Sequence, residues 1–203
     1  METRIINLVS IFFFWGIVLD MKEQILKATI KVFHRKGIKF TMDDLAKELG
    51  MSKKTIYTVF EDKNELFLSM VDYLFDEIKE SENKILCDDS LSTKEKIHRI
   101  LCVLPDGYKD LDFGQLYILK DKYPKTYKQV EKRLENGWEN TIALLEQGKK
   151  EGVIRDVNIS LVKMMLEASL EQFFQRDILK KNKLSYQAAL NEVVNILMIG
   201  ISE

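Results

Sequence analysis

The chain has 203 residues, of which 46% are hydrophobic and 31% charged, with a formal net charge of −1 and a pI near 6.2. That is enough apolar material for a substantial core in one or two domains. Such a charge balance excludes a uniformly basic nucleic-acid binder, and leaves open only binding through a local cationic surface. With two prolines and nine glycines, the chain is set up for long helices and short connections. Nothing alternates long enough to be a sheet, and neither an internal repeat nor a low-complexity linker is present.

Ile5 to Leu19 is nearly all apolar, interrupted by Asn7, Ser10 and Gly16. The run is short for a spanning helix and close to the length of a signal-peptide core. No small-x-small cleavage site precedes Met21, so export is not expected. Met21 opens MKEQILKA as a natural start would. Residues 1–20 therefore read as an apolar N-terminal extension, either a misassigned or dispensable start or a membrane tether.

Met21 to Lys36 carries Ile25, Ala28, Val32 and Phe33 at helical spacing, and Gly37 ends that helix. Thr41 is the N-cap of a second helix, with Asp44 three residues on to complete a capping box. Met42, Leu45, Ala46 and Leu49 then form one apolar face, and Gly50 supplies the positive φ of a helix end. Ser52 caps a third helix whose inward residues are Ile56 and Phe60. Its other face shows Lys53, Lys54, Thr55, Tyr57 and Thr58, cations and hydroxyls without a carboxylate. A helix of this kind fits the major groove of B-DNA, with the preceding helix bracing it across the backbone. Between Met21 and Asn64 ten basic side chains face six acidic ones, a local net charge of +4 against −5 for the rest of the chain. Lys22, Lys27, Lys31 and Lys47 read as an ordinary solvated helix face, whereas Lys53, Lys54 and Lys63 flank the groove-entering helix.

Asp62 caps a long helix from Lys63, with Glu65 at N3 and Leu66, Met70, Tyr73 and Leu74 inward. Ser92 and Glu95 form a second capping box before Ile97, Ile100 and Leu101, and Pro105 with Gly107 marks a turn. A helix around Asp112 to Lys120 meets Tyr123-Pro124, where proline suits a first helical position. One long helix is expected from there through Val130, Leu134, Trp138, Ile142 and Leu145 to Gly152. After the connector Val153-Ile154, two further helices are expected over roughly Ser160 to Leu179 and Ser185 to Ile201. Their apolar stripes, Leu161, Met164, Met165, Ala168 and Phe173 on one and Tyr186, Leu190, Val193, Val194, Leu197 and Ile201 on the other, are wider than a lone surface helix needs. They serve either a monomer core or a subunit interface.

The stretch MKEQILKATIKVFHRKGIKFTMDDLAKELGMSKKTIYTVFEDKNELF resembles the TetR family of transcriptional regulators. The resemblance covers Met21 to about Met70, with Gly37, Thr41, Leu45-Ala46, Gly50-Met51-Ser52, Ile56-Tyr57, Phe60 and Lys63 on family positions. Thr58 and Val59 depart from the basic, aromatic or histidine residues common there. The resemblance implies an all-α fold: an N-terminal three-helix helix-turn-helix unit (21–66) plus a C-terminal helical ligand-binding and dimerisation bundle (67–203). It implies that Lys53, Lys54 and Thr55 face bases or nearby phosphates, that Tyr57 and Lys63 hold phosphates and that Thr41 anchors the second helix, with Ser52 and Thr58 completing the DNA-binding set. It implies a homodimer, here through Leu161, Phe173, Leu190, Val193, Val194, Leu197 and Ile201, on a palindromic operator. A pocket in the bundle is expected among Leu101, Leu104, Phe113, Tyr117, Trp138, Met164, Met165 and Ala168, residues that equally serve plain core packing. Such an apolar, Met-rich lining suits a hydrophobic or aromatic small molecule.

An enzyme is not expected. His34 and His98 are the only histidines, Cys87 and Cys102 lack metal-ligand spacing and suit reduced thiols, and no Gly-rich phosphate loop, HExxH or GxSxG occurs. No catalytic residue, metal or cofactor is assigned. The expected function is a cytoplasmic, sequence-specific transcriptional regulator, a repressor released from its operator by a hydrophobic ligand. The alternative is a membrane-tethered regulator that uses the apolar N-terminus.

Overall fold

A computed structural model describes residues 2–108, 112–176 and 178–202, with residues 2–18 described through their backbone alone. The chain divides into two compact units, one running to Tyr73 and the other starting at Leu74.

The first unit holds α1 (Glu2–Lys36), α2 (Met42–Leu49), α3 (Lys53–Tyr57) and the start of α4 (Lys63–Leu86). The helix expected from Met21 continues upstream, so that the apolar N-terminal run is the first part of α1. Thr41 caps α2 in a complete capping box: its amide donates to Asp44 Oδ2 at 2.8 Å, and the Asp44 amide donates to Thr41 Oγ1 at 3.2 Å. Gly50 closes α2 at φ 63°, which lets the Met51 amide reach back to the Ala46 carbonyl at 3.1 Å. Ser52 caps α3 by accepting from the Thr55 amide at 3.1 Å. Asp62 caps α4, with Oδ1 accepting from the amides of Asn64 and Glu65 at 2.7 and 2.8 Å. Each helix buries one face. Ile25, Val32, Phe33, Phe40, Leu45, Ile56, Phe60, Leu66, Phe67 and Met70 are the core, and Phe67 meets the rings of Phe33 and Phe40 edge to face at 5.6 and 5.4 Å.

The second unit contains the remainder of α4, then α5 (Thr93–Leu101), α6 (Gly114–Lys122), α7 (Pro124–Glu135), α8 (Glu139–Lys150), α9 (Ile159–Gln175), α10 (Ile178–Lys181) and α11 (Tyr186–Ile201). The Ser92–Glu95 capping box and Pro124 at the first turn of α7 are as the sequence predicts. The single long helix expected from Pro124 to Gly152 is broken into α7 and α8. Asn136 is extended at ψ 167°, and Gly137 follows at φ 83°, so the apolar period continues across a break. A Cβ on Gly137 would lie 2.9 Å from Lys79 Cε, whose ammonium is held by the Gly137 carbonyl. The helix expected to reach Leu179 ends at Gln175, and the short α10 follows.

Ile97, Ile100 and Leu101 of α5, Leu144 and Leu145 of α8, Ile159, Val162 and Leu166 of α9 and Leu190, Val194, Leu197, Met198 and Ile201 of α11 form one core. Ile154 joins it, and the Arg155 amide donates to the Ile201 carbonyl at 2.8 Å, which ties the end of α11 to the α8–α9 connector. Among the described residues this isolated bridge is all the β structure present, and no helix is long and apolar enough to cross a membrane.

Candidate nucleic-acid interface

α3 is five residues long and is fixed to the first unit by Ile56, which is fully buried, and by Phe60 just beyond it, also fully buried. With Ile56 inward, Lys53, Lys54 and Tyr57 project to solvent, Tyr57 with 47% of its surface exposed. Thr55 is half-buried and its Oγ1 lies 2.9 Å from Ser52 Oγ, so the two hydroxyls form a pair at the start of the helix. Thr58 is the C-cap rather than a helical residue, and its hydroxyl donates to the Thr55 carbonyl at 2.6 Å.

Lys53 pairs with Asp43 of α2, Nζ to Oδ1 at 3.0 Å, with both side chains exposed. An exposed pair of this kind contributes about 0–1 kcal/mol, so a phosphate can displace the carboxylate at little cost. Lys54 has no ion pair among the described residues and is the most available cation on the helix. Arg35–Glu48 at 2.5 Å and Lys36–Asp44 at 2.6 Å brace α1 against α2, which fixes the platform that carries α3. The Lys36 ammonium, then the Thr41 amide and hydroxyl, hold the Asp44 carboxyl down at about 2.

Lys63, expected to hold a phosphate, is turned to the protein's own backbone. Its ammonium donates to the Ile38 carbonyl at 3.1 Å and to the Phe40 carbonyl, and sits over the Phe40 and Phe67 rings at 4.2 and 5.2 Å. The charge thus satisfies backbone acceptors at the α1–α2 connection and stands on aromatic faces. Thr41 is exposed, but its hydroxyl is engaged in the capping box.

In the second unit a cavity of about 110 Å³ is lined by α4 to α9 and α11, with Leu101, Leu104, Phe113 and Trp138 among its walls. Tyr117, Met164, Met165 and Ala168 are not among them. Met164 and Met165 are 55% and 53% exposed, and Ala168 is exposed too. Of the interface stripe expected on α9 and α11, Leu190, Val194, Leu197 and Ile201 are buried in the chain's own core, and Val193 and Phe173 are half-buried. Leu161 alone of that set lies open, at 53%. Apolar side chains open to solvent on α9 are Leu161, Met164, Met165 and Ala168, spaced i, i+3, i+4, i+7, and on α11 Ile196 and Ile199, at 61% and 82% exposed.

Sequence reading missed Lys79, Glu82, Arg133 and Thr141 in the cavity wall. The signal was there in part: Lys79 and Glu82 stand three residues apart on the turns of α4 that follow Leu74, Phe75 and Ile78. Burial pushes the Glu82 carboxyl up, against the opposing pull of Lys79. Among the described residues no group of histidine, cysteine, aspartate and glutamate is placed to hold a metal.

The sequence model described as "Bacterial regulatory proteins, tetR family" matches residues 25–70, the stretch from the core of α1 into α4. The uncharacterized HTH-type transcriptional regulator YvaF of Bacillus subtilis is 31% identical over 182 residues, 90% of this chain and 96% of that protein. The chain belongs to the TetR family. It is a DNA-binding transcriptional regulator, a non-enzyme role that its relatives share. The fold agrees: a TetR transcription regulator from Haloarcula marismortui superposes with a TM-score of 0.68 at 16% identity, covering 91% of this chain and 99% of that one. FadR from Bacillus subtilis, solved in complex with stearoyl-CoA, superposes with a TM-score of 0.60 at 20% identity, covering 88% and 98%. α2 and α3 are thus the helix-turn-helix of a TetR-family protein, and the second unit is its helical C-terminal domain.

Proposed function

We propose that this TetR-family regulator is a cytoplasmic repressor that binds a palindromic operator as a homodimer and leaves it when a hydrophobic small molecule enters the cavity of the second unit. In this reading Lys53, Lys54, Thr55 and Tyr57 meet the DNA, with Ser52, Thr58 and Thr41 at the margins. One α3 spans only a few base pairs, so two must be coupled for specificity.

The observation that carries the dimer is the outer stripe of α9 and α11. Leu161, Met164, Met165, Ile196 and Ile199 are each more than half exposed, apolar surface on α9 and α11 that a second copy would cover. The cavity supports the ligand-responsive part, and FadR offers a relative in fold that holds a ligand, stearoyl-CoA. Ligand binding would favour a dimer whose recognition helices no longer match successive major grooves about 34 Å apart.

The test is selection of bound sequences from a random duplex library by the purified chain, with light scattering on the same sample. A palindromic site and a dimeric mass are expected. No enriched site at low salt, or a monomer in both states, would contradict the reading.

A further inference from the structure

Taking the cavity as the effector site proposed above, we propose that its ligand is a small neutral molecule. One ring or a short branched chain, bearing a single hydrogen-bonding oxygen, would be received by the Tyr186 hydroxyl.

Size is the first argument. The cavity measures about 110 Å³. An engineered apolar cavity of roughly 150 Å³ accepts benzene, so the interior of this one suits about one ring.

The second argument is charge. Two cations reach the wall, Lys79 and Arg133, and each is already compensated. Lys79 donates to Glu82 Oε2 at 2.7 Å and to the Gly137 carbonyl, and Arg133 Nη2 meets Asp76 Oδ1 at 2.5 Å while lying 5.5 Å from the centre of the Phe75 ring. A carboxylate would have to displace one of these acceptors or stay unpaired in an apolar site, and either is costly. An ammonium would face the same two cations with Glu82 already engaged.

Hydrogen bonding is the third. The remaining walls are mostly leucine, isoleucine, valine and phenylalanine side chains; Asn136 and Trp138 already donate to the Lys132 and Leu134 carbonyls, and Thr141, 4% exposed, and Tyr186 offer hydroxyls. The Tyr186 ring is held at 4.4 Å from Phe113 and stacked on Phe174 at 5.9 Å, with Phe173 edge-on at 5.9 Å. Burial pushes the phenol up, and no hydrogen bond from a described residue offsets it. A rigidly held phenol without a partner among the described residues in a cavity wall is a donor awaiting an acceptor, and a neutral oxygen completes it at no charge penalty.

Isothermal titration with 4-ethylphenol, ethylbenzene, 4-ethylbenzoate and hexadecanoate tests this on the full chain. The phenol should bind once per chain, about fivefold tighter than ethylbenzene. Tyr186→Phe, which keeps the ring, should erase that preference and leave ethylbenzene unchanged. The benzoate should bind at least about tenfold more weakly. Equal or tighter binding of 4-ethylbenzoate or hexadecanoate would overturn the proposal. So would a phenol preference that survives in Tyr186→Phe, or no binding of either neutral probe. Operator affinity measured at saturation separates the two readings: phenol that binds without releasing DNA defeats the effector role and leaves the ligand class standing, whereas release by hexadecanoate alone does the reverse.

Discussion

The helix-turn-helix region and the paired helices α9 and α11 are both amphipathic on paper, yet only the first presents its working face unambiguously. In α2 and α3 the apolar residues occupy one side, so burying Leu45, Ala46 and Ile56 forces Lys53, Lys54 and Tyr57 outward. α9 and α11 are apolar on two sides. Burying Val162, Leu166, Val194 and Leu197 uses one of them and leaves Met164, Met165, Ile196 and Ile199 on the other. A helix with a single stripe encodes its orientation, whereas one with two encodes only that it has two neighbours.

Charging the outer stripe is expected to give the largest effect on function. Met164→Glu together with Ile199→Asp should halve the mass in light scattering and weaken operator binding by about a hundredfold, with the fold retained. Leu190→Ala should do the opposite: a loss of about 2–5 kcal/mol in chemical denaturation, with the mass of the folded species unchanged. If the first pair alters stability and Leu190→Ala alters mass, the two faces have been assigned the wrong way round.

Within the first unit the contrast is between two lysines. Lys63→Met should cost about 1–3 kcal/mol of stability, because part-buried carbonyls lose a charged donor, while the salt dependence of DNA binding stays as it is. Lys54→Ala should leave stability alone and flatten the salt slope by about one. A flattened slope for Lys63→Met would restore the phosphate role.

Acid should produce the smallest effect. With its carboxyl held at about 2 against an ordinary 3.8, Asp44 contributes stability that is fully present above 3.8 and lost as pH falls through about 2. The stability difference between the native chain and Asp44→Asn should therefore shrink across that window. A difference that stays constant in acid would contradict the capping-box geometry.

Much of the first unit was legible because capping boxes, Gly50 and one-sided stripes are local signals. Thr41, Asp44, Ser52 and Asp62 all cap as their spacing predicts. The contacts of Lys63 were not legible, because its partners, the Ile38 and Phe40 carbonyls, lie more than twenty residues away and leave no mark in the pattern. The long helix through Trp138 was overdrawn for a related reason: the period of Val130, Leu134, Trp138 and Ile142 runs on, while Asn136-Gly137 breaks the backbone beneath it. The cavity was half legible. Its apolar walls follow the helical period, but the compensation of Lys79 and Arg133 and the placement of the Tyr186 ring arise only when several helices converge.

The most direct test of the central claim, that two copies joined through α9 and α11 place two α3 helices on one operator, is the mass of the complex on a selected site and on its isolated half-site. The account predicts two chains on the full site and at least about a hundredfold weaker binding to the half-site. A single chain bound with equal affinity to either would contradict it.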